Sequence, residues 1–502
     1  MIENICILGG GTAGFMTAAV LSKLGVKVKC IFSSKIGTIG VGESTQTPIR
    51  NIFTFLGIKD EEWMPKCNAT YKTNISFESW SKDGEKFFYP FELGKLDKET
   101  VNNFFELNAL FPTEVKSNMF ARYVSPSSRY AELNRLSKEG WDFKKNTAFH
   151  FDTHLLSKLL YKYCKRNGVE FVDDEYLSCE QNKDGIEYLS CEKTGNHRAD
   201  LFIDCSGFKS LLLGKEMGVS FKKYETQINN RVLRCKVPYK NKNSQIKNYT
   251  NNVALDNGWC WEIPLWDGMS LGYVHTLQFA DENSIEQEFI NFVRERYGVD
   301  PEINAINFKS GRHENAWVKN VASVGLSYGF IEPLESTGLV SVVTNIFRLL
   351  EVITQSQRIN SFDRKLFNYT VNLELDKQKN FVDIHYQSAH KNDTDYWKYV
   401  TNHLEYDWES ENHKLSIEMT MFNRDYANHH LKGLPFILSG NGYSPLSPGL
   451  IRGSKYDMNG MSEIKDKFLS KDKDMNEKIM KSPSTMEFLK STIYKNFWDP
   501  FI

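Results

Sequence analysis

Four stretches of this sequence combine residue types and spacing that chemistry can use. The first is Gly9-Gly10-Gly11-Thr12-Ala13-Gly14. Glycine at the first, third and sixth places lets a backbone approach a phosphate closely and leaves the N–H groups of a following helix aimed at it. The second is Lys72, in Tyr71-Lys72-Thr73-Asn74-Ile75, and the third is Glu335-Ser336-Thr337-Gly338. A lysine withdrawn from water can act as a hydrogen-bond donor or a nucleophile, and a carboxylate can move a proton. Adjacent N–H groups in a turn suit an anion. The fourth is Trp259-Cys260-Trp261-Glu262-Ile263-Pro264, two indoles two residues apart. Taken singly, each has a plainer reading: a solvated lysine, a carboxylate pairing at a turn, and one buried face of a strand.

The elements around the glycine run decide its meaning. Ile2, Ile5, Ile7 and Leu8 read as a strand, Phe15 to Leu24 as a helix, and Val26, Val28 and Cys30 as a second strand. Strand, glycine turn, helix, strand is the order of a dinucleotide-binding fold. The acid that usually closes the second strand and holds a ribose is missing, because the chain reads Ile31-Phe32-Ser33-Ser34. Ser33 or a more distant group must take that role. Further on, Ala199-Asp200-Leu201-Phe202-Ile203-Asp204-Cys205-Ser206-Gly207 is a short apolar strand ending in small residues. It is similar to the second strand that large flavoproteins of the glutathione-reductase type carry beside the first fingerprint, which favours FAD over NAD. The expected fold is α/β: a Rossmann-type FAD-binding domain of that type with an attached, mainly helical substrate module. Between the two strands, Leu155, Leu156, Leu159 and Leu160 mark an amphipathic helix, and Val169 to Val172 another strand. Residues 82–131 read as an insertion, 1–360 as the FAD-binding core and 361–502 as the helical module.

Composition narrows the partners. The 62 basic and 63 acidic residues give a formal net charge of -1, which offers no general attraction to nucleic acid or acidic membranes. The nine cysteines form no C-x-x-C pair, as expected of free thiols in a reducing, cytoplasmic setting, and no histidine spacing suggests a metal. The start of the chain shows no leader-like pattern, and Leu339 to Ile353 is interrupted by Asn345, Arg348 and Glu351, so no membrane span is expected. At 502 residues the chain exceeds what one core comfortably fills. Oligomeric state is not legible.

Together, Gly9 to Phe15, Ile39-Gly40-Val41-Gly42-Glu43-Ser44-Thr45, Lys72, the W-x-W-x-I-P run and Glu332-Pro333-Leu334-Glu335-Ser336-Thr337-Gly338 resemble, in order, the motifs of the flavin-dependent tryptophan halogenases. The resemblance spans roughly residues 1 to 350. It implies that FAD, used as FADH2, reacts with oxygen and halide to give hypohalous acid, which travels to a substrate held apart from the flavin. Lys72 would meet it there, by hydrogen bond or as an N-halo amine. Glu335 would orient the halogenating species, raise its electrophilicity or take the ring proton, and Thr337 and Gly338 would bind halide. Gly9 to Gly14, Ser33, Ile39, Val41, Gly42, Glu43, Ser44, Val172, Asp204, Gly207, Leu326 and Leu339 would hold the cofactor. Trp259, Trp261, Ile263 and Pro264 would wall the substrate off from it.

The departures concern substrate. Tyr89-Pro90-Phe91 stands where tryptophan-specific members carry His-Pro-Phe, and between Glu405 and Ile437 there are Trp408, Phe422 and Tyr426 but no adjacent tyrosines. An indole-like or phenolic arene fits better than free tryptophan, with chloride, bromide and iodide all open. No reductase domain is evident, so a separate flavin reductase would supply FADH2. A flavin monooxygenase would explain both FAD strands but not Lys72, Glu335 and the tryptophan wall together. A flavin-binding protein without turnover would leave that lysine and glutamate unexplained.

Overall fold

The computed structural model describes residues 2–36, 42–81, 84–94, 96, 98–356, 359–404, 433–443 and 457–497. The chain forms two compact units, each assembled from three stretches.

Unit 1 comprises residues 1–69, 148–230 and 307–379. Its centre is a six-stranded sheet in the order Trp317–Val318, Val321–Ser323, Leu201–Asp204, Asn4–Leu8, Lys27–Phe32, Glu170–Asp173. Every pairing is parallel except that of the two outer strands 317–318 and 321–323. A parallel sheet is covered on both faces, which is why Ile5, Cys6, Ile7 and Leu8 are all buried despite pointing alternately up and down. Helices Thr12–Leu21 and Thr153–Arg166 pack together. The latter starts where the Asp152 carboxylate accepts from the N–H groups of His154 and Leu155. An antiparallel sheet, 176–182, 185–191 and 195–197, shares a core with Cys6, Leu8, Ile31, Val172 and Phe202. This is the Rossmann-type α/β architecture expected.

Helix Gly338–Gln355 is, among the described residues, long and apolar enough to cross a membrane, with a mean hydropathy of 1.2. Its Leu339, Val340, Val342, Val343, Ile346 and Leu349 are instead buried within the protein.

Unit 2 comprises residues 70–147, 231–306 and 380–502. A seven-stranded sheet runs in the order 304–307, 231–237, 268–275, 258–265, 249–255, 74–78, 87–90. Helix Glu282–Tyr297 lays Ile285, Phe289 and Val293 on Leu233, Leu271 and Tyr273 of this sheet. It is capped by Asp281 and ended by Gly298 at φ 69°.

Two boundaries differ from the sequence reading. The division at 360 falls inside unit 1, which runs to Lys379. The second unit is not a C-terminal helical module alone: the described residues after 361 form helices, yet from 380 onward they share a unit with the seven-stranded sheet. Residues 82–131 lie within the 70–147 stretch that interrupts unit 1, and there Phe87–Pro90 closes the sheet against Asn74–Glu78. Strand pairing between distant segments set these limits, and periodicity along the chain does not report it.

Candidate active site

In unit 1 the glycine run is shaped by contacts that admit no side chain. A Cβ at Gly9, where φ is +125°, would lie 2.2 Å from the Cys205 carbonyl oxygen, and one at Gly14 would lie 2.0 Å from the Gly9 oxygen. At Gly10 it would strike Phe32 at 2.6 Å. At Gly11 it would meet nothing within 4 Å, so the backbone there borders open space. The helix beginning at Thr12 has no acid in its first turn and no side-chain cap, leaving its positive end for an anion. This is the cradle a dinucleotide pyrophosphate needs, and the residues fit FAD. Thr12 Oγ1 lies 3.2 Å from Ser157 Oγ, and Ala13 lies beside Gly325, one residue before Leu326.

Asp204 holds the loop that follows its strand. It is fully buried, and its carboxylate accepts from the N–H of Ser206, Leu212 and Leu213 and from Ser206 Oγ. Both oxygens are committed to shaping the turn that begins at Gly207, where φ is +69°. Burial raises this carboxyl despite those donors. Any part it has in cofactor binding is through the loop it holds.

Where the second strand lacks an acid, a carboxylate arrives from another strand. Register pairs Phe32 with Asp173, and the Ser34 N–H donates to Asp173 Oδ1 at 2.8 Å. A carboxylate therefore stands at the end of the second strand although that strand encodes none. Ser33, half-buried, offers its carbonyl to the Ile36 N–H. Val172 lies in the core one residue earlier. The only advance signal was the doublet Asp173-Asp174 after Val172.

The Gly42–Ser44 strand pairs with Ala148–Asp152 and faces the turn carrying Glu335. Ser336 Oγ lies 2.9 Å from Ser44 Oγ, and Gln46 Nε2 donates to the Glu335 carbonyl. Glu43 Oε1 lies 3.8 Å from where a Gly338 Cβ would stand. Glu335 is 1% exposed. Ser336 holds φ at 57°, a left-handed conformation that costs a non-glycine residue on the order of 1 kcal/mol. That twist places Thr337 at the N-cap of helix Gly338–Gln355, whose first turn includes buried Leu339 and has no acid. Thr337 Oγ1 is buried and has no hydrogen-bond partner among the described residues. An uncapped helix start beside an orphaned hydroxyl is chemistry suited to a small anion.

Unit 2 holds the lysine. Lys72 ends the Thr70–Lys72 strand, is fully buried, and places Nζ 5.0 Å from the Phe91 ring centroid. Cation–π attraction there is strengthened by exclusion of water. Thr70 Oγ1 donates to the Pro264 carbonyl at 2.7 Å, and the Phe91 N–H donates to the Thr73 carbonyl at 3.0 Å. Lysine, aromatic platform and tryptophan strand are thereby tied together.

The Gly258–Leu265 strand is buried along its whole length, with Trp259, Trp261 and Ile263 on one face. The two indole centroids are 6.2 Å apart. Trp261 lies flat over Gly272, where a Cβ would come within 2.0 Å of the ring. Its Nε1 is buried without a partner among the described residues. Tyr89 lies 5.6 Å from Phe381 and 6.1 Å from Phe436, ring to ring, and Pro90 sits on an edge strand where its missing N–H costs nothing. Ile39 and Val41 lie outside the described residues, as do Trp408, Phe422 and Tyr426.

Comparison with known proteins follows the same lines. The tryptophan halogenase family matches residues 4–431. Tryptophan 6-halogenase SttH of Streptomyces toxytricini is 34% identical over 423 residues, 79% of this chain and 80% of that protein. Tryptophan 7-halogenase RebH of Lentzea aerocolonigenes is 31% identical over 421 residues, 79% and 78% of the two chains. Among solved structures, apo VirX1 superposes with a TM-score of 0.90 at 33% identity, covering 98% of this chain and all of that one. The chain belongs to the tryptophan halogenase family of flavin-dependent halogenases.

Proposed function

We propose that this protein halogenates an electron-rich arene, indole-like or phenolic, with Lys72 as the group that delivers the halogen. The observation that carries the reading is Lys72 itself, an ammonium with no exposed surface set against Phe91 on a strand bonded to the tryptophan wall. Lysines are almost never fully buried unless paired, because removing the charge from water is costly. Bound and reduced, FAD supplies the electrons with which dioxygen turns chloride, bromide or iodide into hypohalous acid.

The chain's residues do the rest. Gly9 to Gly14 and the Thr12–Leu21 helix start hold the pyrophosphate, and Thr337 with Gly338 holds the halide. Lys72 takes hypohalous acid by hydrogen bond or exchanges an N–H for N–halogen with release of water. Trp259, Trp261 and Ile263 keep the arene from the cofactor, whereas Pro264, expected in the same wall, falls on the opposite face of the strand; Glu335 receives the proton displaced from the ring. The unpartnered Trp261 Nε1 is a donor for an oxygen on the arene. Tyr89 in place of histidine argues for an arene other than free tryptophan, the substrate named for SttH and RebH. Reduced flavin comes from a separate reductase. With nine unpaired cysteines and a net charge of -1, the protein is read as cytoplasmic, with no nucleic-acid or membrane partner.

Mass spectrometry of an indole, phenol and tryptophan panel tests this, with FAD, a flavin reductase, NADH and each halide in turn. Halogenated indoles or phenols in excess of halogenated tryptophan are expected. Hydroxylated product would point to a monooxygenase, and preference for tryptophan would overturn the substrate assignment.

Asp173 is assigned the ribose hydroxyls. Asp173→Ala should weaken FAD binding on the order of tenfold, since a hydrogen bond to a charged group contributes about 1.5–3 kcal/mol. Unchanged flavin affinity in a calorimetric titration would remove Asp173 from the site.

A further inference from the structure

The unit 2 sheet has a second face. The alternation that puts Trp259, Trp261 and Ile263 on one side puts Cys260, Glu262 and Pro264 on the other. On that side Lys86, Gln245, Lys247, Glu262, Met269 and Arg296 line a cavity of about 160 Å³. Nothing in the proposed halogenation uses it.

Glu262 on its wall and Glu78 behind Arg296 are already satisfied. Arg296 donates through Nη1 and Nη2 to Glu78 at 2.7 and 2.8 Å, and through Nε and Nη2 to Glu262 at 2.7 and 3.1 Å. Asn251 Nδ2 donates to Glu78 at 2.8 Å and to Glu262 at 2.6 Å, and the Tyr297 hydroxyl donates to Glu262. Lys86 Nζ lies 3.0 Å from Glu78. Burial alone would raise the Glu78 carboxyl, yet Arg296 and Lys86 outweigh it and hold it at about 2. Arg296 and Lys86 therefore balance Glu78 and Glu262.

Lys247 is left over. Half-buried on the cavity wall, it forms no ion pair with any described residue. Burial and then the Lys86 charge lower its pKa, against a smaller pull from Glu262. Three cations against two carboxylates leave one positive charge facing the cavity. Gln245 adds donors: its Oε1 accepts the Asn241 N–H at 2.8 Å, which leaves its amide N–H groups for the space it lines.

We propose that this cavity binds a small oxyanion of single charge, dihydrogen phosphate or a short carboxylate, seated on Lys247 with Lys86 and Gln245 as further donors. A partly desolvated lysine without a counter-ion is stabilised by such a ligand, and the volume is too small for a dinucleotide. The site is separate from the glycine cradle, which lies in unit 1.

The test uses full-length protein saturated with FAD, so that the cradle is filled, titrated with inorganic phosphate or with acetate at constant ionic strength balanced by chloride. Heat of binding and unfolding midpoint are both read. A saturable signal with one equivalent of either anion is expected, and the anion that saturates identifies the head group. Lys247→Gln should weaken binding at least tenfold, while Lys247→Arg retains it and both variants keep wild-type flavin affinity. A midpoint that drifts without saturation for both anions would overturn the site, and so would equal affinity in Lys247→Gln.

Discussion

Lys72→Ala is expected to reduce halogenated product by at least about 10³-fold while leaving FAD bound, because the group that receives and positions the electrophile is removed. The lysine is fully buried, so its truncation also leaves a cavity, and Lys72→Met separates the two effects. Methionine keeps most of the volume and removes only the nitrogen. Both variants should consume NADH and oxygen with the reductase at wild-type rates, since Lys72 lies in unit 2 and the glycine cradle in unit 1. Product yield per NADH, measured by liquid chromatography against an oxygen electrode, is the deciding quantity. Halogenation persisting in Lys72→Met would mean that free hypohalous acid does the work and the lysine is structural.

Glu335→Gln should lower turnover by on the order of 10²–10⁴, the usual contribution of a positioned proton acceptor. The substitution preserves shape at a residue with 1% exposure, and the Gln46 contact is to the Glu335 main chain, so the turn is held as before. Thr337 and Gly338 also stay in place at the helix start. Halide affinity, followed as the halide concentration giving half-maximal yield, is therefore expected to be unchanged while the maximal rate falls. A loss of halide affinity with a normal maximal rate would reassign Glu335 to shaping the anion site.

The two variants divide the chemistry differently. Lys72 substitutions lose product but not hypohalous acid, which a chemical scavenger added to the reaction still detects. Glu335→Gln slows transfer to the arene, most for the rings that are least electron-rich, because the electrophile and the departing proton both depend on it.

Much of unit 1 was legible because its rules are local. Gly9, Gly10 and Gly14 are demanded by contacts with Cys205, with Phe32 and with the run itself, and an apolar strand on each side announces them. The strand at Leu201–Asp204 was legible for the same reason, by its apolar run and small residues. Trp259 and Trp261 fall on one strand face because strands alternate with a period of two.

What failed was long-range. The residues directly after Phe32 include no acid, yet Asp173, 139 residues beyond Ser34, arrives beside it because its strand pairs in parallel with the second. That Asp204 anchors its loop is likewise visible only in the fold, where four donors converge on it. The surplus charge at Lys247 emerges only when Glu78, Glu262 and Arg296, spread over more than 200 residues, are found to neutralise one another with Lys86.

The sequence by itself determined the glycine cradle, the α/β class and the family motifs, because those depend on backbone sterics and side-chain chemistry at neighbouring positions. Only the tertiary structure decided which residues are buried together, where the two units divide and which strand supplies the missing carboxylate. Those outcomes rest on strand pairing between segments far apart in the chain, and the pattern of apolar residues along one strand does not specify its partner.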